Sequence, residues 1–201
     1  MSARERGDAT PFAFSDENRA VADKIIARYP EGRQASAVIP LLDLAQRQSG
    51  GWLPQGAMDA VAELLAMPTI RVYEVASFYT MFRLRKPGKH VVEVCTTTPC
   101  WLRGSDAVLK TCRETLGIDV GETDAAGDFT LMEVECLGAC VNAPMMQIGD
   151  DYYEDLDAES TRRVLEALRK GETPTAGSQI GRKSSEPVTG STTLLAKSES
   201  A

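Results

Sequence analysis

Cys95-Thr-Thr-Thr-Pro-Cys100 and Cys136-Leu-Gly-Ala-Cys140 are the two segments on which the reading of this chain turns. Each follows a short apolar run of strand character, Val91-Val92-Glu93-Val94 before the first and Leu131-Met132-Glu133-Val134-Glu135 before the second. If the two strands lie near each other in one sheet, all four sulfurs converge at its carboxyl edge, where loops are free to wrap an object. The rest of the chain reads as building, covering or presenting that site.

Working outward, the flanking pattern is that of an α/β domain over residues 87–171. A strand at 90–95 leads to a helix at 105–116, capped by Ser105 with Asp106 in its first turn. Then come a short apolar piece at Ile118-Asp-Val120, a strand at 129–135, the run Met145-Met-Gln-Ile148, a Gly149-Asp150 turn and Tyr152-Tyr153. Asp157 caps a last helix, in which Thr161, Val164, Leu165 and Leu168 precede Gly171. A parallel crossover is implied between the first strand and the segment after its helix.

Upstream, residues 15–86 read as a helical unit behind a flexible lead at 1–14. Ser15 caps a first helix with Val21, Ile25, Ile26 and Tyr29 at helical spacing before Pro30. Val38, Leu41, Leu42 and Ala45 mark a second, with Pro40 in its first turn. Met58, Val61, Ala62 and Leu65 mark a third, and Pro68 opens a fourth bearing Val72, Val75, Ala76 and Tyr79. Arg83, Arg85, Lys86 and Lys89, around Pro87-Gly88, form a basic linker and turn. Beyond Gly171 the sequence is rich in Gly, Ser, Thr and Pro and holds too little apolar material to fold alone, so residues 172–201 are expected as an extended or disordered tail.

Composition narrows the function. The 201 residues are 43% hydrophobic and 25% charged, as in ordinary globular proteins. A net charge of -7 argues against a nucleic-acid partner, which needs a basic surface, and turns attention to protein partners. No apolar run approaches the roughly 20 residues that cross a bilayer. Met1-Ser-Ala-Arg-Glu-Arg-Gly-Asp lacks the apolar core of a signal peptide and the acid-poor character of a transit peptide, so a cytoplasmic setting is expected. Five cysteines, an odd number, favour metal or redox use over a secreted disulfide framework.

Three uses of the four paired cysteines compete. Disulfide redox catalysis of the thioredoxin type uses Cys-x-x-Cys, and neither pair has that spacing. A structural zinc favours a two-residue gap, though gaps of two to four occur. A 2Fe-2S rhomb is wider than one zinc ion and needs two thiolates per iron, which longer loops of four and three residues suit better. His90 is the single histidine, so a mixed Cys/His site has almost no material. Cys112 falls with Val108, Leu109 and Leu116 on the apolar face of its helix, as a small buried thiol does.

A cluster of negative formal charge calls for donors nearby. The N-H groups of the helix at Ser105, the Arg103 guanidinium and the backbone of the Gly138 loop are candidates, with a solvated loop charge the alternative for Arg103. Glu133 and Glu135 would point away from a buried Met132, Val134 and Cys136 face and join Asp150, Asp151, Glu154, Asp155 and Asp157 in an acidic surface. No Ser/His/Asp set, carboxylate pair or Gly-rich phosphate loop is visible, so no catalytic side chain is assigned.

Cys95-Thr-Thr-Thr-Pro-Cys100-Trp-Leu-Arg-Gly-Ser105 and Glu135-Cys136-Leu-Gly-Ala-Cys140-Val-Asn-Ala-Pro144 resemble the two cluster motifs of the thioredoxin-like 2Fe-2S subunit of respiratory complex I, the E-type subunit of NADH-quinone oxidoreductase. The resemblance extends to Ala37-Val-Ile-Pro-Leu-Leu-Asp-Leu-Ala-Gln46, Gly51-Trp-Leu-Pro54, Glu74-Val-Ala-Ser-Phe-Tyr-Thr-Met-Phe82 and Asp151-Tyr-Tyr-Glu-Asp-Leu156. It implies an N-terminal helical unit followed by a thioredoxin-like ferredoxin domain. It also implies that Cys95, Cys100, Cys136 and Cys140 bind one 2Fe-2S cluster. FMN and NADH are then expected on a partner, the flavin subunit, with which this chain exchanges an electron and beside which lie further peripheral-arm subunits. The assembly would sit at the cytoplasmic side of the inner membrane. The same module occurs in NAD-linked hydrogenases and formate dehydrogenases, and a structural-zinc interaction protein is the alternative of another class.

Overall fold

The structure is a computed structural model in which residues 11–190 and 193 are described. The chain divides into two compact units, the first ending at Pro87 and the second beginning at Gly88.

In the first unit the Ser15 hydroxyl accepts the Asn18 N-H at 3.2 Å and starts α1 (Asp16–Ile26). That helix buries Ala22 completely and leaves Val21 exposed. Its inner face is thus turned from the stripe that the spacing predicts, since the small Ala22 allows close approach, and the helix stops at Ile26 rather than at Pro30. A 3-10 turn, Gln34–Ala37, leads into α2 (Val38–Gln48), which buries Val38, Leu41, Leu42 and Ala45. Pro40 is its third residue, where no intrahelical N-H partner is lost. α3 (Gln55–Leu64) contributes Ala57, Met58, Val61 and Ala62, and α4 (Thr69–Phe78) contributes Val72 and Ala76. Leu53 and Phe82 complete this core. The buried Gln46 fastens the chain after α4, its Nε2 donating to the Met81 carbonyl at 3.0 Å and its Oε1 accepting the Arg83 N-H at 2.8 Å.

The second unit is a five-stranded mixed sheet in the order β2 (Phe129–Val134), β1 (His90–Cys95), β3 (Met146–Ile148), β4 (Asp151–Glu154) and β5 (Gly177–Ser178). β1 and β2 run parallel through the crossover helix α6 (Ser105–Leu116). β3 is antiparallel to β1, and β4 is antiparallel to β3. Val92, Val94, Phe129, Leu131, Met146, Ile148 and Tyr153 pack one sheet face on α6 and α7 (Ala158–Arg169). Asp157 caps α7 in a capping box with Ser160. Gly88 lies so close to β2 that a Cβ there would stand 2.8 Å from the Phe129 backbone nitrogen. The turn at Pro87-Gly88 is therefore also a point of close packing, sealed by the Gly88 N-H on Thr130 Oγ1 at 2.7 Å.

Two expectations change. The cap of α6 is Gly104, at φ 97°, and Ser105 is the first helical residue, buried, with its hydroxyl unpartnered. Phe129 and Leu131 show that the helix-covered face of β2 is the one carrying Glu133, which passes the end of the core and is exposed. The short apolar piece Ile118-Asp-Val120 leads into β2, which supplies the expected parallel partner of β1.

After α7 the chain adds β5 (Gly177–Ser178) parallel to β4, with Tyr153 opposite Gly177 and Glu154 opposite Ser178. Residues 1–10 of the expected lead, and 191–192 and 194–201 of the expected tail, lie outside the described residues. Among the described residues, no helix is long and apolar enough to cross a membrane.

Candidate metal centre

The register of β1 on β2, with Cys95 opposite Val134, ends both strands at one edge. Cys95 is the last residue of β1, and Cys136 comes two residues after β2. Cys100 is not on an open loop: it sits in α5 (Thr98–Leu102), a single turn that Pro99 can enter because its first N-H groups need no partner. Cys140 opens a 3-10 turn, Cys140–Asn142, after Gly138 has bent the chain at φ 86°.

The four sulfurs form two pairs of different exposure. Cys95 and Cys100 are buried with Ala143 and Met145 on the sheet face away from α6 and α7, whereas Cys136 and Cys140 are exposed. Cys136 and Cys140 Sγ are 3.5 Å apart. Two thiolates on one tetrahedral metal, with metal–sulfur bonds of about 2.3 Å, stand about 3.8 Å apart, so this pair is within a few tenths of an ångström of sharing an ion. Burial pushes the Cys100 thiol up to about 12, with Cys95 bonding to it as the next cause. The Cys140 thiol is also raised, first by its hydrogen bond with Cys136. A bound metal would act against both shifts by stabilising thiolate.

Whether these residues fit a 2Fe-2S cluster is a matter of number and grouping. The sulfurs are arranged two and two, Cys136 with Cys140 at 3.5 Å and Cys95 hydrogen-bonded to Cys100. Four thiolates in two pairs can hold two irons, two ligands each, and suit that object better than one zinc. The Gly138 N-H lies 3.4 Å from Cys136 Sγ, a donor of the kind a reduced cluster needs.

The other sequence candidates separate. Cys112 is fully buried in the core between helices and sheet, and burial raises its thiol to about 12. His90 is at the opposite end of β1 from Cys95, about 17 Å along the strand, with its ring 5.3 Å from that of Phe129. Arg103 is exposed, and its Nε donates to the Ala143 carbonyl at 3.5 Å. Glu133 and Glu135 accept the hydroxyls of Thr96 and Thr97 at 2.7 and 3.2 Å, so they tie the first cysteine loop to the second strand.

Tyr152 escaped the sequence reading as a site residue. Its hydroxyl donates to the Leu137 carbonyl at 2.8 Å and braces the second loop from β4. The signal was the Tyr152-Tyr153 pair itself, because neighbours in a strand face opposite sides: Tyr153 joins the helix-side core and Tyr152 the cysteine side. Exposed Trp101, Leu102 and Val141 directly follow Cys100 and Cys140 and give the site an apolar rim.

The model of the thioredoxin-like 2Fe-2S ferredoxin family matches residues 22–169. The chain is 52% identical to the mitochondrial NADH dehydrogenase (ubiquinone) flavoprotein 2 of Dictyostelium discoideum over 97% of its length and 79% of that protein. It is 56% identical to the E-type subunit of the NADH-quinone oxidoreductase of Rickettsia conorii, over 80% of this chain and 96% of the relative. A chain of an NAD+-reducing NiFe-hydrogenase superposes at TM-score 0.57 and 20% identity, covering 65% of this chain and 23% of the other, which is a likeness of fold.

Proposed function

The chain belongs to the thioredoxin-like 2Fe-2S ferredoxin family, and from that premise we propose that it is the electron-transfer subunit of the NADH dehydrogenase module of a complex I, exchanging an electron with the FMN of a partner subunit. The observation that supports this most directly is the two-and-two arrangement of cysteine sulfurs at one edge of a parallel strand pair. The NAD-linked hydrogenase shares the fold at low identity, so fold alone does not choose between assemblies. Identities of 52% and 56% to NADH dehydrogenase subunits favour the first.

Cys95, Cys100, Cys136 and Cys140 would hold the cluster, and when bound it supplies a one-electron carrier. The chain's own residues do the rest. Cys95 and Cys100, buried beside Met145, close one side of the site against water. Tyr152 and the Gly138 N-H hold the second loop, while Glu133 and Glu135 hold the first. Exposed Cys136 and Cys140 leave the other side open to a protein partner, and the rim of Trp101, Leu102 and Val141 gives that partner an apolar footing. FMN and NADH belong to the partner in this reading, at the cytoplasmic face of the membrane that carries the complex.

Iron, acid-labile sulfide and zinc per chain, measured on protein purified without oxygen, test the proposal. About two iron and two sulfide are expected, with reddish-brown protein. One zinc and no sulfide would replace the electron carrier with a structural-zinc interaction protein.

A further inference from the structure

Val141 and Asn142, the two residues after Cys140, are held by the segment beyond α7. The Asn142 side chain, almost fully buried, donates through Nδ2 to the Ser184 carbonyl at 2.9 Å and to Glu154 Oε2 at 2.8 Å. The Val141 carbonyl accepts Nη2 of Arg182 at 3.0 Å. The Arg182 guanidinium also grips Asp155 with both arms, Nε on Oδ2 at 2.9 Å and Nη2 on Oδ1. Asp155 returns to the loop through its own N-H, which donates to the Asn142 carbonyl at 2.7 Å. These contacts close a ring: Val141, Asn142, Asp155, Arg182 and back to Val141.

Two features set the ring apart from a surface contact. The Arg182 and Asp155 side chains are only 6% and 4% exposed, so the pair is desolvated and loses much if one member is removed. Asp155 sits at φ 54°, a left-handed conformation that aspartate tolerates better than most side chains and that turns its carboxylate toward Arg182. Ser178 of β5 adds its hydroxyl to Asp155 Oδ2 at 2.7 Å and accepts the Arg182 N-H at 3.2 Å, which joins the ring to the sheet edge.

We propose that residues 177–186 form a strap in which Arg182 is a positioning residue for Cys140. Resting on the cluster reading above, this gives the exposed cysteine pair a scaffold as firm as the core gives Cys95 and Cys100. Tyr152 holds the loop at Leu137, and the strap holds it at Val141 and Asn142, so Cys140 is fixed from both sides. The role is geometric more than electrostatic, because Asp155 neutralises the guanidinium at contact distance. A lysine at position 182 would keep the charge but lacks the planar fork that spans a carboxylate and a carbonyl together.

The test uses the full chain loaded with its cluster and two variants. Arg182→Lys removes the fork, and the double variant Asp155→Asn with Arg182→Met removes both charges so that none is left buried alone. The rate of bleaching by an iron chelator and the electron paramagnetic resonance of the reduced protein are compared with wild type. Both variants are expected to assemble the cluster, to lose it about tenfold faster, the scale of outer-shell effects on metal affinity, and to show shifted resonance lines. Wild-type bleaching rates and an unchanged spectrum in the double variant would overturn the proposal, as would rescue of both readouts by lysine. A fall in melting temperature with both readouts unchanged would assign the strap to stability alone and overturn it too. A wild-type chain without iron and sulfide would instead bring down the cluster reading, a result distinct from indifference of loaded variants.

Discussion

At the scale of single residues, the five cysteines differ in surroundings more than in sequence context. Cys112 is sealed in an apolar core and its thiol is raised to about 12 by that burial, so at pH 8 it is both neutral and inaccessible. Cys112→Ser should keep the full iron and sulfide content, while Cys136→Ser should lose most of it. Metal analysis of the two variants decides this, and equal loss in both would undo the ligand set. Helical spacing made the burial of Cys112 legible in advance, since Val108, Leu109 and Leu116 share its face. The contrast between buried Cys95 and Cys100 and exposed Cys136 and Cys140 was not legible. All four follow apolar strands, and only the packing of Ala143 and Met145 onto the first pair separates them.

At the scale of elements, helix termini carry much of the local information, and Asp157 is the sharpest case. Its carboxylate accepts the Ser160 hydroxyl and N-H, which holds its pKa below the usual 3.8. A depressed folded-state pKa contributes stability above the unfolded value and loses it as pH falls through the folded one. Asp157→Ala should therefore cost about 1 kcal/mol at pH 7, the usual worth of such a cap, and progressively less below about pH 4. The difference in urea midpoint between variant and wild type, taken at each pH, cancels what both share. A gap that stays constant down to pH 3 would show that the cap acts without its charge.

Ser15 and Asp157 were readable as caps because the cap is a local bond across three residues. Ser105 misled because Gly104, with φ 97°, takes the cap position itself and sends the serine inward. The single turn α5 was missed because five residues carry no periodicity. Glu133 shows a different failure. The alternation along β2 was right, but which face the helices cover depends on α6 and α7, and Phe129 and Leu131 decided it.

At the scale of the whole molecule, the exposed rim is where the chain would meet its partner. Trp101, Leu102 and Val141 are 56%, 71% and 67% exposed, each next to a cysteine of the site or one residue beyond it. Leu102→Glu should leave iron and sulfide unchanged yet weaken binding to the flavin subunit about tenfold or more, equivalent to about 1.4 kcal/mol or above. Titration of labelled chain with the isolated flavin subunit measures it, and unchanged affinity would move the docking face elsewhere.

The order of the longer helices and of the first four strands, the parallel pairing of two strands that lead to cysteines, and the family itself were legible in the sequence, while α5 and β5 were not. They rest on periodicity, short-range capping and motif spacing, which act between near neighbours along the chain. The tertiary structure alone decided which cysteines are shielded and what steadies the others. The ring through Arg182 shows why: it joins Arg182 to Asp155 across 27 positions and to Val141 across 41. Contacts at such separations exist only after the sheet has brought its edges together, and no local pattern encodes them.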